Sequence, residues 1–354
     1  MSVLFEPIVL GEISLKNRIV LAPLTRQRAD ENAVPNDLIA EYYEQRTSDG
    51  GLLITEATPI SVETLYAKTV PGIYNQAQID AWKKTTSRVH AKGGKIVQQL
   101  WHIGYHCDPE FDPLHRAPPS ASVIEREGKP TSRALDEEEI KEIVGTFAQA
   151  AKNSIEAGFD GVEIHGANTY LLDQFLNEST NKRTDKYGGS IENRNRFALE
   201  VTEAVISAIG AGRTGIRLSP WAINPENNDV SQWIALLKSL NPLKLAYVHF
   251  LRSTPGVNNE PETENVLALR KAYEGNLILN RGYVAASAEK TVFDGNAELI
   301  AFGKLFISNP DLVERIKLGR ELNEDLNFKT LYAGEKGDPS DGYTSYKTWE
   351  QAHA

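Results

Sequence analysis

Short apolar runs alternate with longer amphipathic stretches along almost the whole chain. The runs Arg18–Leu24, Leu52–Glu56, Lys95–Leu100, Gly161–His165, Thr214–Ser219, Leu245–Phe250, Asn276–Asn280 and Glu298–Phe302 have strand length and little polar interruption, as expected of parallel strands covered on both faces. After them, residues near 36–48, 76–92, 137–157, 190–209, 230–240, 262–273, 286–293 and 309–318 read as amphipathic helices. Eight strands, each followed by a helix, predict an α/β fold of the (β/α)₈ TIM-barrel type. An open doubly wound sheet is the competitor, and the even spacing of the units favours closure. Asp136 and Glu139 have the spacing of a capping box, so the acidic run there reads as a helix start rather than a metal or partner site.

One connection is too long for a plain loop. Residues 101–135, after the third strand, are rich in Pro, His and small polar residues and include Arg116 and Arg133; long ordered loops usually cover a site, so a capping insertion is expected. The tail 330–354 is polar yet carries Tyr343, Tyr346 and Trp349, which favours a docked tail over a disordered one. Residues 1–354 read as one decorated barrel domain.

Composition narrows the function classes. An apolar fraction of 41%, a charged fraction of 24% and a net charge of −10 describe a soluble globular chain without a nucleic-acid or anionic-membrane surface. No apolar run approaches the roughly 20 residues of a membrane span. The opening residues Met1-Ser-Val-Leu-Phe-Glu-Pro7 lack the basic and apolar regions of a leader, so a cytoplasmic location is expected, with the chain a monomer or homodimer. Cys107 is the only cysteine, which leaves no internal disulfide and no four-cysteine cluster. His102, His106 and Cys107 lie close in sequence, but such a loop grouping is seldom a metal site, and none is expected.

If the barrel closes, residues ending each strand share one rim. That rim holds Pro23, Thr25 and Arg26, Ala57, Gln99 and Trp101, then His165, Asn168 and Tyr170. Arg217, Gly282, Gly303 and Lys304 complete it. Three hydrogen-bonding side chains where the fourth strand ends are costly to leave unpaired, by about 1–3 kcal/mol each. His and Asn suit an oxyanion and a phenol can deliver a proton, so this grouping points to chemistry on a carbonyl or phenolate oxygen. Each residue also has a plainer reading: His165 as a satisfied core histidine, Thr25 and Gln99 as polar groups paired with backbone, Arg217 as the partner of Glu163, Trp101 as packing.

The segments Ala22-Pro-Leu-Thr-Arg26, Gln99-Leu-Trp-His102, His165-Gly-Ala-Asn-Thr-Tyr-Leu-Leu-Asp-Gln-Phe175, Arg183-Thr-Asp-Lys-Tyr-Gly-Gly-Ser190, Glu192-Asn-Arg194, Gly215-Ile-Arg-Leu-Ser219 and Ala301-Phe-Gly-Lys-Leu-Phe-Ile-Ser-Asn-Pro310 resemble the old yellow enzyme family. The resemblance runs in order over nearly the whole chain. It implies a tightly bound, non-covalent FMN and an ene-reductase that uses NADPH in a ping-pong cycle. The substrates implied are α,β-unsaturated carbonyl or nitro compounds, with phenols as ligands. It further implies that Thr25, Gln99, Pro23, Ala57 and Arg217 surround the flavin ring, and that Gly282, Gly303 and Lys304 hold its phosphate. By the same resemblance His165 and Asn168 bind the substrate oxygen, Tyr170 donates the proton that complements hydride from the flavin, and Trp101, Tyr343 or Tyr346 shapes the pocket.

The chain departs from the family pattern at several places. Thr169 stands where the family usually has Gly, Tyr105 where Arg is common, and Lys304 where Arg is usual; the segment Trp221–Val230 is compact, and Thr25 replaces the Cys of one branch. The changes at Thr169 and Tyr105 motivate an alternative, a flavin- or phenol-binding member with weakened catalysis. A dienoyl-CoA-type reductase is disfavoured by the single cysteine and the chain length.

Overall fold

The computed structural model describes residues 2–220, 229–252, 263–332 and 337–354. Eight strands form a closed ring: β1 (Ile19–Leu21), β2 (Leu52–Ile54), β3 (Lys95–Trp101), β4 (Gly161–Gly166), β5 (Thr214–Leu218), β6 (Tyr247–Leu251), β7 (Leu277–Asn280) and β8 (Leu299–Phe302). Each pairs in parallel with the next, and β8 pairs with β1, so the sheet is a barrel and not an open doubly wound sheet. The principal helices are α1 (Asp37–Gln45), α2 (Gln76–Ala91), α3 (Glu137–Glu156), α4 (Ile191–Ile209), α5 (Ser231–Leu240), α6 (Glu264–Ala272), α7 (Ala285–Phe293) and α8 (Leu312–Leu318). At the start of α3 the Asp136 side chain accepts the Glu139 N–H at 2.8 Å and Glu139 accepts the Asp136 N–H at 3.0 Å, the reciprocal cap that the spacing predicts. β1 stops short of Leu24 because Pro23 has no N–H for the ladder. Most of the compact Trp221–Val230 segment lies outside the described residues.

Alternation divides the strand side chains between two cores. Leu21, Leu53, Ile96, Ile164, Ile216, Leu279 and Ile300 pack against the helices, whereas Val20, Leu52, Ile54, Val97, Ile278 and Leu299 fill the lower lumen. An element that the periodicity missed closes that end. The antiparallel hairpin Ile8–Leu10 with Ile13–Leu15 adds Leu10, Ile13 and Leu15 to the lumen cluster, and the Glu12 N–H donates to the Gly212 carbonyl at 2.9 Å, just before β5. Its strands span only three residues each, too short for a periodic signal.

The capping insertion is ordered by charge. Arg116 pairs with Asp112 at 2.7 Å and Glu63 at 3.1 Å, and Arg133 pairs with Glu139 at 2.6 Å, so the cap is tied to the start of α3. Buried arginines dock the tail through its carbonyls: Arg26 donates to Leu331 at 2.8 Å and Gly342 at 2.7 Å, Arg28 to Thr330 at 2.8 Å and Arg46 to Tyr343 at 3.0 Å. Among the described residues, no helix is long and apolar enough to cross a membrane.

Candidate active site

Strand register brings the predicted residues to one mouth. Gln99 lies beside Glu163, His165 beside Arg217, and Arg217 beside His249, all at inward positions of the upper lumen. Glu163 is the hub of a buried network. Its carboxylate accepts Gln99 Nε2 at 2.7 Å and His249 Nδ1 at 2.9 Å. Burial opposes ionisation of Glu163, but His249, Arg217 and Gln99 outweigh it and hold the carboxyl below its ordinary range. Burial keeps His249 neutral, so its Nδ1 carries the proton it donates. Arg217 Nη2 donates to Asn280 Oδ1 at 3.0 Å, and Asn280 Nδ2 donates to the Ala301 carbonyl at 2.6 Å.

Arg217 is therefore not consumed by Glu163: no ion pair joins them among the described residues, and Arg217 Nε is buried without a partner. Gln99 spends one amide N–H on Glu163 and keeps its carbonyl oxygen as an acceptor. Past the strand ends, a Cβ at Gly303 would meet only Leu24 Cδ2, at 3.3 Å, and Arg281 and Gly282 run through φ of +86° and +77°. An acceptor amide, an unpaired guanidinium N–H and glycine-walled backbone suit a heteroaromatic ring with an imide edge and a phosphate. These residues fit FMN. Pro23 and Ala57 are buried just past β1 and β2, with Thr25 beside them, and the Arg26 and Gln27 N–H groups both donate to Glu56 at 3.0 Å, which ties the two strand ends together. Lys304 behaves differently from expectation. It is exposed, and its ammonium lies 5.2 Å from the centre of the Phe328 ring, so its charge is turned towards that ring.

At the end of β4, His165 Nδ1 accepts the Ala167 N–H at 3.3 Å. Burial, then Arg217 and His249, depress its pKa far below the usual value. A neutral imidazole with Nδ1 engaged as acceptor carries its proton on Nε2, so His165 presents a donor. Tyr170 stands edge-on to His165 and to Trp101, with ring centres 4.9 Å away in each case, and burial lifts its phenol to about 12, so it keeps its proton.

Asn168 and Thr169 adopt φ of +59° and +66°, and the second is unfavourable for a β-branched residue. The turn is held by hydrogen bonds. The Asn168 N–H donates to Ser219 Oγ at 2.7 Å, the Thr169 N–H to Asp173 Oδ2 at 2.8 Å, and Thr169 Oγ1 lies 2.9 Å from His106 Nε2. Arg126 Nη1 approaches His106 Nδ1 at 3.5 Å, which leaves Nε2 to donate to Thr169. The Tyr105 ring packs on the same histidine, ring centres 4.5 Å apart, so the two departures, Thr169 and Tyr105, meet at His106.

Asn168, Tyr170 and Trp101 line a cavity of ≈ 770 Å³ together with Gln27, Tyr66, Tyr105, Arg126 and Tyr332. The tail tyrosine at this cavity is Tyr332, which corrects the expectation for Tyr343 and Tyr346. Tyr343 is fully buried and stacks on Tyr42, ring centres 4.2 Å apart, because Arg26 and Arg46 hold the chain around it. The Tyr346 hydroxyl is taken by the Asn327 N–H at 3.1 Å. Tyr66 and Tyr332 sit outside any periodic element, so nothing in the pattern marked them. His102, His106 and Cys107 are engaged separately: His102 Nδ1 accepts the Gly104 N–H at 3.2 Å, His106 serves Thr169, and burial pushes the Cys107 thiol up.

This arrangement agrees with three comparisons. Residues 3–323 match the model of the NADH:flavin oxidoreductase / NADH oxidase family. The chain is 44% identical to 12-oxophytodienoate reductase 7 of Oryza sativa subsp. japonica, over 97% of this chain and 94% of that one. It is 42% identical to flavin oxidoreductase hxnT of Emericella nidulans, over 97% of both. Among solved structures, morphinone reductase in complex with tetrahydroNAD superposes with a TM-score of 0.90 at 40% identity, covering 99% of each chain. With motifs, barrel and polar lumen all in register, the chain belongs to the NADH:flavin oxidoreductase / NADH oxidase family, the old yellow enzyme family of FMN oxidoreductases that its motifs resemble.

Proposed function

We propose that this protein is an ene-reductase that uses NADPH to reduce the C=C bond of α,β-unsaturated carbonyl or nitro compounds. One observation carries the reading: a neutral His165, its Nδ1 engaged by Ala167, presents Nε2–H beside a protonated Tyr170 whose ring centre is 4.9 Å away. When bound, FMN supplies the two-electron hydride chemistry. His165 and Asn168 donate to the carbonyl or nitro oxygen, where negative charge gathers as the double bond is reduced. A preorganised donor of this type is worth about 2.7–4 kcal/mol in the transition state. Tyr170, which keeps its proton across the neutral range, delivers it to the α-carbon. NADPH and the alkene use the same cavity in turn, which is a ping-pong order. That relatives are named 12-oxophytodienoate reductase and morphinone reductase supports a reductase of oxo compounds. Thr169 takes the His106 Nε2–H and Tyr105 packs on the same histidine, so neither departure favours the weakened-catalysis alternative.

The test is direct. FMN-loaded protein should oxidise NADPH with 2-cyclohexenone, and 4-methylphenol should perturb its visible spectrum. His165→Ala should weaken the phenol. Absence of both turnover and phenol perturbation in flavin-replete protein would sink the proposal.

A further inference from the structure

A full negative charge lies in the lumen layer beneath the mouth. Glu163 is 0% exposed and stands two positions before His165 on the inward face of β4. Its oxygens are taken by two neutral groups, Gln99 Nε2 at 2.7 Å and His249 Nδ1 at 2.9 Å, so neither bond cancels the charge. The cation of the layer, Arg217, spends Nη2 on Asn280 and acts on Glu163 through space, with no hydrogen bond between them among the described residues. Hydrogen bonding alone does not require a carboxylate here. A Gln at 163 has the same shape and could bond both Gln99 and the other tautomer of His249. What the carboxylate adds is a field, and a buried charge is costly unless something compensates it.

We propose that Glu163 is a positioning residue for the redox step: its charge, set against that of Arg217, lowers the reduction potential of the bound FMN. The inference rests on the ene-reductase reading and deepens it. Taking up hydride adds negative charge to the flavin ring. Arg217 favours that gain and Glu163 opposes it, and a buried lumen screens neither as bulk water would. A flavin of lower potential is a stronger hydride donor to the alkene and a weaker acceptor from NADPH. Glu163 therefore divides the driving force between the two half-reactions. Its bond to Gln99 adds order, because an acceptor-only carboxylate admits only the NH₂ end of that amide.

The midpoint potential of FMN-loaded Glu163→Gln, read against a reference dye, should rise. The expected shift is about 30 mV, a tenfold gain in affinity for reduced over oxidised flavin at two electrons. One charge in a medium of effective dielectric about 20 has an effect of this order. In stopped-flow, reduction by NADPH should quicken and reoxidation by 2-cyclohexenone should slow. A merely structural role would instead slow both and leave the potential in place. Glu163→Asp, which keeps the charge, should retain most of the native potential. If Glu163→Gln holds FMN weakly, titration of apoprotein with oxidised and with reduced FMN gives the same affinity ratio directly. A ratio that moves by less than about twofold, about 9 mV, or in the opposite sense, overturns the role. These readings need no alkene. A raised potential without cyclohexenone turnover in the native protein faults the ene-reductase reading alone, and an unmoved potential with turnover intact faults Glu163 alone.

Discussion

The lower and upper halves of the barrel lumen are built by the same strands and differ in what satisfies them. Below, Val20, Leu52, Ile54, Val97, Ile278 and Leu299 close on the hairpin residues Leu10, Ile13 and Leu15, and the protein completes this layer by itself. Above, Gln99, Glu163, Arg217, His249 and Asn280 form a network that leaves Arg217 Nε and His249 Nε2 buried without partners. An orphaned donor, Arg217 Nε–H, and an orphaned acceptor, His249 Nε2, in a closed barrel weaken the fold, and they are the groups that a molecule from outside the chain would satisfy. One half is a foundation and the other half is a socket.

The largest effect expected on the socket side comes from Tyr170→Phe, which removes a proton donor and leaves the ring. Alkene reduction should fall by about 10²–10⁴-fold, while reduction of the bound flavin by NADPH stays nearly intact in stopped-flow; equal losses in both half-reactions would break the proton-donor role. The contrasting test on the foundation is Leu52→Ala, expected to cost about 2–5 kcal/mol of stability. It should lower the denaturation midpoint without moving the flavin spectrum. Arg217→Met probes the socket in the opposite sense. FMN affinity should drop by about 1.5–3 kcal/mol in a titration of apoprotein, with little loss of midpoint in the FMN-free protein; an unchanged FMN affinity would mean that the orphaned N–H is not a flavin contact.

Two smaller tests address the turn that aims Asn168. Asp173 anchors it through the Thr169 N–H, and burial lifts the Asp173 carboxyl to about 7, against an ordinary value of 3.8. Folded protein therefore holds this proton more tightly, so the stabilisation is complete below 3.8 and is lost as pH rises through about 7. His102, which burial and Arg133 depress to about 3 from 6.5, acts oppositely: its contribution is complete above 6.5 and is lost as pH falls towards 3. Asp173→Asn should remove the first trend and make stability climb more steeply between about pH 4 and 7, by at most about 1.4 kcal/mol per pH unit. Denaturant midpoints at several pH values would read this, and an unaltered slope would count against a proton on Asp173. The smallest change belongs to Thr169→Val. Deleting the one hydroxyl that takes the His106 Nε2–H should weaken phenol binding by about 1 kcal/mol, with Thr169→Ser restoring it; identical affinities for all three would show that this bond does not aim Asn168.

Much of this was legible before folding was considered. Eight apolar runs with amphipathic partners, the Asp136/Glu139 cap and the polar cluster after Gly161 are local patterns, set by periodicity and spacing. The socket was less legible. Glu163 and His249 sit inside strands that read as apolar, and only the register places them against Gln99 and Arg217. Tyr332 lines the cavity where Tyr343 or Tyr346 was expected, because three arginines hold the tail by its carbonyl groups, and a backbone acceptor leaves no mark in sequence. Lys304 kept its charge but turned it towards Phe328, a choice between two neighbours that no spacing reveals.

What the amino-acid order determined alone is therefore whatever depends on near neighbours: which segments are strands and helices, where α3 starts, and which residues end each strand on a common rim. Closure of the ring decided the rest. It set the layer at which Arg217 is left unpaired, the cap that lays Arg126 over Tyr105, and the tail residue that reaches the cavity. These are contacts between groups tens to hundreds of residues apart, and their energies depend on distance and burial, which exist only once the chain has folded.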